Sequence, residues 1–247
     1  MLKVITAVFL ALSPLPLAAQ QVSAEDEDYI RANTIFFFYH EFGHALIDML
    51  RLPVFGQEED AADVLGVVLT EETNAPEDSD FIVAAAADNF AYMAEAAEQD
   101  GYALAFWDTH GLDQQRYYTI ICLHYGADTL RRQYIADSSE LPEERQVSCE
   151  EEWQLAIQSW GPVLDDIERL DSDGTWLSLN VSHTPENPAE EILLDAIRIE
   201  VQTLNELFDP RLALRVNFER CGEANAFYDP NTVEIIICSE LVELFLE

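Results

Sequence analysis

Between Ile30 and Leu52 the chain holds no proline and a single glycine, Gly43, in a run dominated by Ile, Phe, Leu and Ala. Such a run predicts a helix buried around most of its circumference. Pro53 predicts its stop, because proline lacks an N–H and collides with the preceding turn. The acidic stretch from Ala24 to Tyr29 leads in, where carboxylates suit the positive end of a helix dipole. Whatever else the chain forms has to pack around this rod.

The remainder reads as mainly helical. A loop through Pro53 and Gly56 leads to a second helix at about 57–69, and helical periodicity continues over 80–99, 113–135, 149–170 and 189–208, with a short helix at 240–245. After Asp209-Pro210 the period changes: Leu212, Leu214, Val216 and Phe218 alternate as in a strand, and 226–228 and 233–238 flank Asp229-Pro230-Asn231-Thr232 as the arms of a hairpin. The expected fold is α+β and predominantly α-helical, with a small antiparallel sheet. Residues 171–188 are polar, punctuated by Gly and Pro, and read as a loop or linker. The expected organisation is therefore a leader over 1–19, a main domain over 20–170, that connecting stretch, and a C-terminal helix and hairpin region over 189–247 packed on the same domain.

Charge and cysteines narrow the function. With 48 acidic and 12 basic residues the formal charge is -36, which repels polyanions, so nucleic acid is an unsuitable partner. Solubility or a salty medium is the plain reading of that charge, and an acidic cleft for basic substrates the sharper one. Lys3, the apolar Val4 to Leu17 and the small-residue site Leu17-Ala18-Ala19 form a signal peptide, shorter than a membrane span, and no later segment qualifies as one. Export to the periplasm or the medium favours disulfides. The four cysteines allow three pairings, and the scheme that closes short loops, Cys122 with Cys149 and Cys221 with Cys238, is preferred. Only nine glycines, none in a phosphate-cradling loop, leave no signal for a nucleotide or organic cofactor, and oligomeric state leaves none at all.

The first helix contains His40-Glu41-Phe42-Gly43-His44, the H-E-x-x-H pattern. At 3.6 residues per turn the two imidazoles share a face, close enough to ligate one zinc ion, and Glu41 beside them can act as general base toward the attacking water. Gly43 leaves room for another segment to approach. A catalytic site needs a third ligand. Glu59 is the favoured one, with Asp63 four residues on accepting a hydrogen bond from the far ring nitrogen of His40 or His44; Glu58, Asp60 and Asp63 are the other candidate ligands. The plain alternatives are helix histidines satisfied by ordinary hydrogen bonds, and first-turn carboxylates placed by the helix dipole. An oxyanion donor could come from His110, His124, Tyr125 or Tyr228, of which Tyr228 is favoured, although packing is the plainer role for each. The hairpin could hold an extended peptide at its edge or be purely structural, and Trp153 with Trp160 reads as core.

The segments Phe38 to Asp48 and Leu52 to Asp63, with Arg116-Tyr117-Tyr118, Cys122 to Asp128, Ser159-Trp160-Gly161-Pro162 and Asn225 to Pro230, resemble a bacterial metallopeptidase family of gluzincin-like, H-E-x-x-H zincin type. The resemblance covers most of the chain after the leader. It implies zinc as cofactor, a peptide or protein substrate, and a zincin-like fold with an active-site helix and a glutamate-bearing second helix. One departure stands out: many zincins place a strand hairpin before the metal helix, whereas the hairpin here is C-terminal, so the sheet is expected in permuted order or in an accessory unit. The rival reading is a non-catalytic exported binding module that retains the scaffold. Glu41 argues against it, since a structural zinc site needs no base. A hydrolase acting on something other than peptides is the third.

Overall fold

The computed structural model describes residues 22–99, 101, 103–170 and 174–246, so the expected leader lies outside the described residues. The helices are α1 (Ala24–Leu50), α2 (Glu58–Thr73), α3 (Pro76–Gln99), α4 (Asp113–Ala127), α5 (Gln133–Ser138), α6 (Glu143–Ile167), α7 (Pro188–Leu207) and α8 (Leu241–Phe245). The strands are β1 (Leu177–Val181), β2 (Leu214–Glu219), β3 (Ala226–Asp229) and β4 (Glu234–Cys238). The fold is α+β and predominantly helical.

Helix α1 is the central rod. It starts earlier than the apolar run because Ser23 caps it, its Oγ accepting from the Asp26 N–H at 3.1 Å, with Glu25, Asp26 and Glu27 in the first turn. At the far end Arg51 turns left-handed, φ 54°, and the Arg51 and Leu52 N–H groups return to the Asp48 and Ile47 carbonyls at 3.1 and 2.9 Å. The helix has therefore closed before Pro53 arrives. Ile30, Phe36, Phe38, Phe42, Ala45 and Leu46 expose 0 % of their surface. Burial of such aliphatic and aromatic side chains is worth about 1.5–3 kcal/mol each, which makes α1 the axis of the core.

Helix α2 crosses α1 at Gly43. A Cβ there would stand 3.0 Å from Ala62 Cα, so the crossing distance depends on the missing side chain. That close approach sets the H-E-x-x-H face of α1 against the first turns of α2. Trp160 of α6 holds the same turn from outside, its Nε1–H donating to the Ala61 carbonyl at 3.2 Å, and both Trp160 and Trp153 are core residues.

Three local expectations need correction. The predicted helix over 113–135 is broken after Ala127: Gly126 lies so close to α6 that a Cβ would overlap the Cys149 carbonyl, and Asp128 turns the chain by accepting the Arg131 N–H at 3.0 Å. Inside the stretch read as a loop lies β1. The sheet is mixed rather than antiparallel, with order β1-β2-β4-β3, in which β1 and β2, and β2 and β4, run parallel and only β3 and β4 run antiparallel. The cause is connectivity, since α7 joins β1 to β2 as a crossover and a crossover returns the chain in the same direction. The expected hairpin is present as β3 and β4.

Both short-loop disulfides form. Cys122–Cys149 ties α4 to α6, and Cys221–Cys238 ties the approach to β3 to the end of β4. Among the described residues no helix is long and apolar enough to cross a membrane.

Candidate metal centre

At the α1–α2 crossing, His40 and His44 meet Glu59. His40 Nε2 lies 3.2 Å from His44 Nε2 and 3.2 Å from Glu59 Oε2, and His44 Nε2 lies 3.3 Å from the same oxygen. Among the described residues this is the one set of three such ligands close enough to share an ion. Ligands held tetrahedrally about 2.0–2.1 Å from an ion stand about 3.3–3.4 Å from each other, so this near-equilateral triangle fits a small tetrahedral divalent ion with little adjustment.

The ring orientations follow from the outer nitrogens. A carboxylate can only accept, so His40 Nδ1–H donates to Asp63 Oδ1 and His44 Nδ1–H donates to Glu58 Oε1, each at 2.8 Å. Both Nε2 lone pairs are left facing one another and a carboxylate oxygen, an arrangement that calls for a cation at its centre. Without one, protons take its place. Burial pushes the His40 imidazole down, but the hydrogen bonds and charges of Asp63 and Glu59 outweigh it and carry the pKa up to about 9. His44 is also raised, burial opposing and Glu59 prevailing. Burial raises Glu59, yet hydrogen bonds from His110, His40 and His44 hold it far below the ordinary carboxylate range. Glu41, buried beside the two imidazoles, is raised by that burial, with His40 and His44 opposing.

Asp63 is held in turn by a residue that the sequence reading missed. Arg116 of α4 gives a two-pronged contact, Nε to Oδ2 at 2.8 Å and Nη2 to Oδ1 at 2.7 Å, and its guanidinium lies 4.2 Å from the centre of the Phe90 ring. Burial raises Asp63, but Arg116 and then His40 bring it down to about 2. A signal was present, because in a chain with 12 basic residues against 48 acidic ones the single arginine of α4 invites the question of its partner.

The triangle opens on a cleft of about 920 Å³ whose walls include Glu41, His44, Asp48, Glu58, Glu59 and Asn225 to Tyr228. His110 stands at its rim, with Nε2 3.1 Å from Glu59 Oε2. Tyr228 lines the cleft too, but its hydroxyl donates to Asp48 Oδ2 at 2.8 Å, and burial with that bond pushes its pKa up. The other two candidates fall elsewhere. Tyr125 donates to Gln133 at 3.0 Å, and His124 is wholly buried in a second cluster, donating from Nδ1 to Glu71, with Nε2 3.0 Å from Asp80 Oδ1 but off the line of a hydrogen bond. Asp60, one of the alternative ligands, is outside the triangle.

A family model described as "Putative metallopeptidase" matches residues 14–164 and 185–247. No curated protein matches the chain, and no solved structure does.

Proposed function

The chain belongs to that metallopeptidase family, and from this premise we propose that it is an exported, zinc-dependent peptidase of gluzincin-like type. The observation that carries the reading is the triangle of His40 Nε2, His44 Nε2 and Glu59 Oε2, with sides of 3.2, 3.2 and 3.3 Å, opening on a cleft large enough for a peptide. These three side chains would hold the ion, and a set of three protein ligands is characteristic of hydrolytic rather than structural zinc sites. When bound, zinc supplies a Lewis acid that polarises the scissile carbonyl and makes water a nucleophile near neutral pH.

The chain's own residues do the rest. Glu41 Oε takes a proton from the attacking water and passes it to the departing amine nitrogen; a carboxylate raised by burial is suited to both halves of that transfer. Asp63 and Glu58 fix the ring tautomers of the two histidines. His110, with Nε2 3.1 Å from Glu59 Oε2, and Tyr228, whose hydroxyl donates to Asp48, are the two side chains of the cleft that could turn a proton toward the developing oxyanion.

Strand β3 is an edge of the sheet. The Cys238 N–H donates to the Asn225 carbonyl at 3.1 Å, so Ala226 and Tyr228, in the alternate pairs, turn their main-chain groups away from β4. An extended substrate can pair there while its scissile bond lies over the triangle. Two short-loop disulfides support an exported setting.

Digestion of a broad peptide library tests the reading. Wild type should cleave, and a chelator should stop it. Glu41→Gln should lower turnover by about 10²–10⁴-fold, the range of general-base catalysis, while keeping its zinc. A Glu41→Gln protein that cleaves as well as wild type would remove the proposed base and the mechanism with it.

A further inference from the structure

We infer that Arg116 is a positioning residue for the metal ligand His40, acting through Asp63, an inference that rests on the metallopeptidase reading above. Arg116, Asp63 and His40 come from three different helices and form one continuous line: guanidinium, carboxylate, imidazole. All three are buried, at 8 %, 2 % and 4 % exposure. An aspartate alone can swing its carboxylate about χ2. The fork of Arg116 occupies both oxygens and fixes the carboxylate plane, and Oδ1 is then presented to the His40 Nδ1–H at 2.8 Å. That bond sets the ring angle and the tautomer, and with them the direction of the Nε2 lone pair. Phe90 backs the guanidinium, so the fork itself has little freedom. His44 has no such support, since its partner Glu58 is half exposed and takes no arginine among the described ion pairs. The two imidazoles are therefore held unequally, and His40 is the fixed one.

The same two helices provide a control. Asp63 and Glu71 are eight residues apart on α2, and Arg116 and His124 are eight apart on α4, so the helices are tied at two levels about 12 Å apart. At the lower level Arg132 donates to Glu71 at 2.8 Å, to Asp80 at 2.9 Å and to the His124 carbonyl at 2.9 Å. A residue that merely tied α2 to α4 would behave as Arg132 does. A positioning residue for His40 would act on the ion as well.

Zinc affinity, by competition with a chromophoric chelator, and metal-free melting temperature separate the two, measured on the full chain and on Arg116→Met, Arg116→Lys and Arg132→Met. The inference expects zinc binding by wild type, a roughly 10–100-fold weaker affinity in Arg116→Met, a clear loss in Arg116→Lys because lysine keeps the charge but not the fork, and wild-type affinity in Arg132→Met despite a lower melting temperature. Should Arg116→Met not fold, Arg116→Lys decides. Wild-type affinity in the Arg116 variants, or an equal loss in Arg132→Met, overturns the inference and leaves the metallopeptidase reading standing. Absence of zinc binding in wild type overturns that reading, and this one with it.

Discussion

The two ends of α2 bury similar chemistry to different ends. Near its start, Glu58, Glu59 and Asp63 face His40 and His44; further along, Glu71 faces His124 together with Asp80 of α3. At the far end Arg131 and Arg132 answer Glu71 and Asp80, Arg131 also standing 3.9 Å from Asp128, and Tyr134 donates to Asp80 at 2.6 Å. Each carboxylate of that cluster has an arginine partner. At the near end Arg116 answers Asp63 alone, while Glu58, Glu59 and the buried Glu41 lie around the two imidazoles with no arginine or lysine partner among the described ion pairs. One end is closed over by arginines, and the other keeps three lone pairs aimed at a point on a cleft wall. Residue type alone does not distinguish the two ends; the carboxylates without an arginine partner and the open face do.

The comparison can be broken by perturbing each end in turn. Removing Arg132 leaves Glu71 and Asp80 short of a cation, and Arg132→Met should lose about 3–5 kcal/mol of folding stability by denaturant titration, with zinc content intact. Its dependence on pH sharpens the point. Burial raises Glu71 and Asp80, but His124 and the arginines more than offset this and lower both in the folded state, so their stabilisation is present above the ordinary carboxylate pKa, about 4, and is lost as pH falls through the lowered values. The gap between wild type and variant should therefore hold at pH 5 to 8 and narrow below about pH 4. A gap that widens in acid would contradict the assignment.

At the near end, zinc at about a thousand times its dissociation constant should add about 4 kcal/mol, or roughly 10 °C in melting temperature, and a chelator should take it away; Arg132→Met should show the same increment. An increment that vanishes with Arg132 would place the ion at the wrong end. The smallest effect expected is that of Gly43→Ala, where the added Cβ at 3.0 Å from Ala62 forces α1 and α2 apart, at a cost of about 1–3 kcal/mol and with weaker zinc binding. Unchanged zinc affinity in that variant would show that the crossing distance does not set the triangle.

Much of this is written locally. The apolar run to Pro53 states α1, the two histidines a turn apart state their shared face, and Glu59 with Asp63 four residues on states the face of α2 that can answer them. What escaped a reading of the sequence depends on contacts between distant segments. Strand β1 carries the alternation Leu177, Leu179, Val181, but it is short, largely exposed apart from Leu177, and set among polar residues. The break between α4 and α5 follows from Gly126 lying against α6. Arg116 is separated from Asp63 by 53 residues, and no periodicity connects them; His110 is legible as a candidate proton donor, but not its place beside Glu59, 51 residues away. Parallel pairing of β1, β2 and β4 follows from a crossover whose first strand was read as loop.

The most direct test is the zinc content of the purified full chain, by elemental analysis after dialysis against zinc and then against buffer, compared with that of Glu59→Gln. The account predicts one zinc per wild-type chain and a collapse toward none when the third ligand loses its charge, with the Arg132 cluster undisturbed and the protein still folded. Wild-type protein that retains no zinc, or a Glu59→Gln protein that retains as much as wild type, would contradict it.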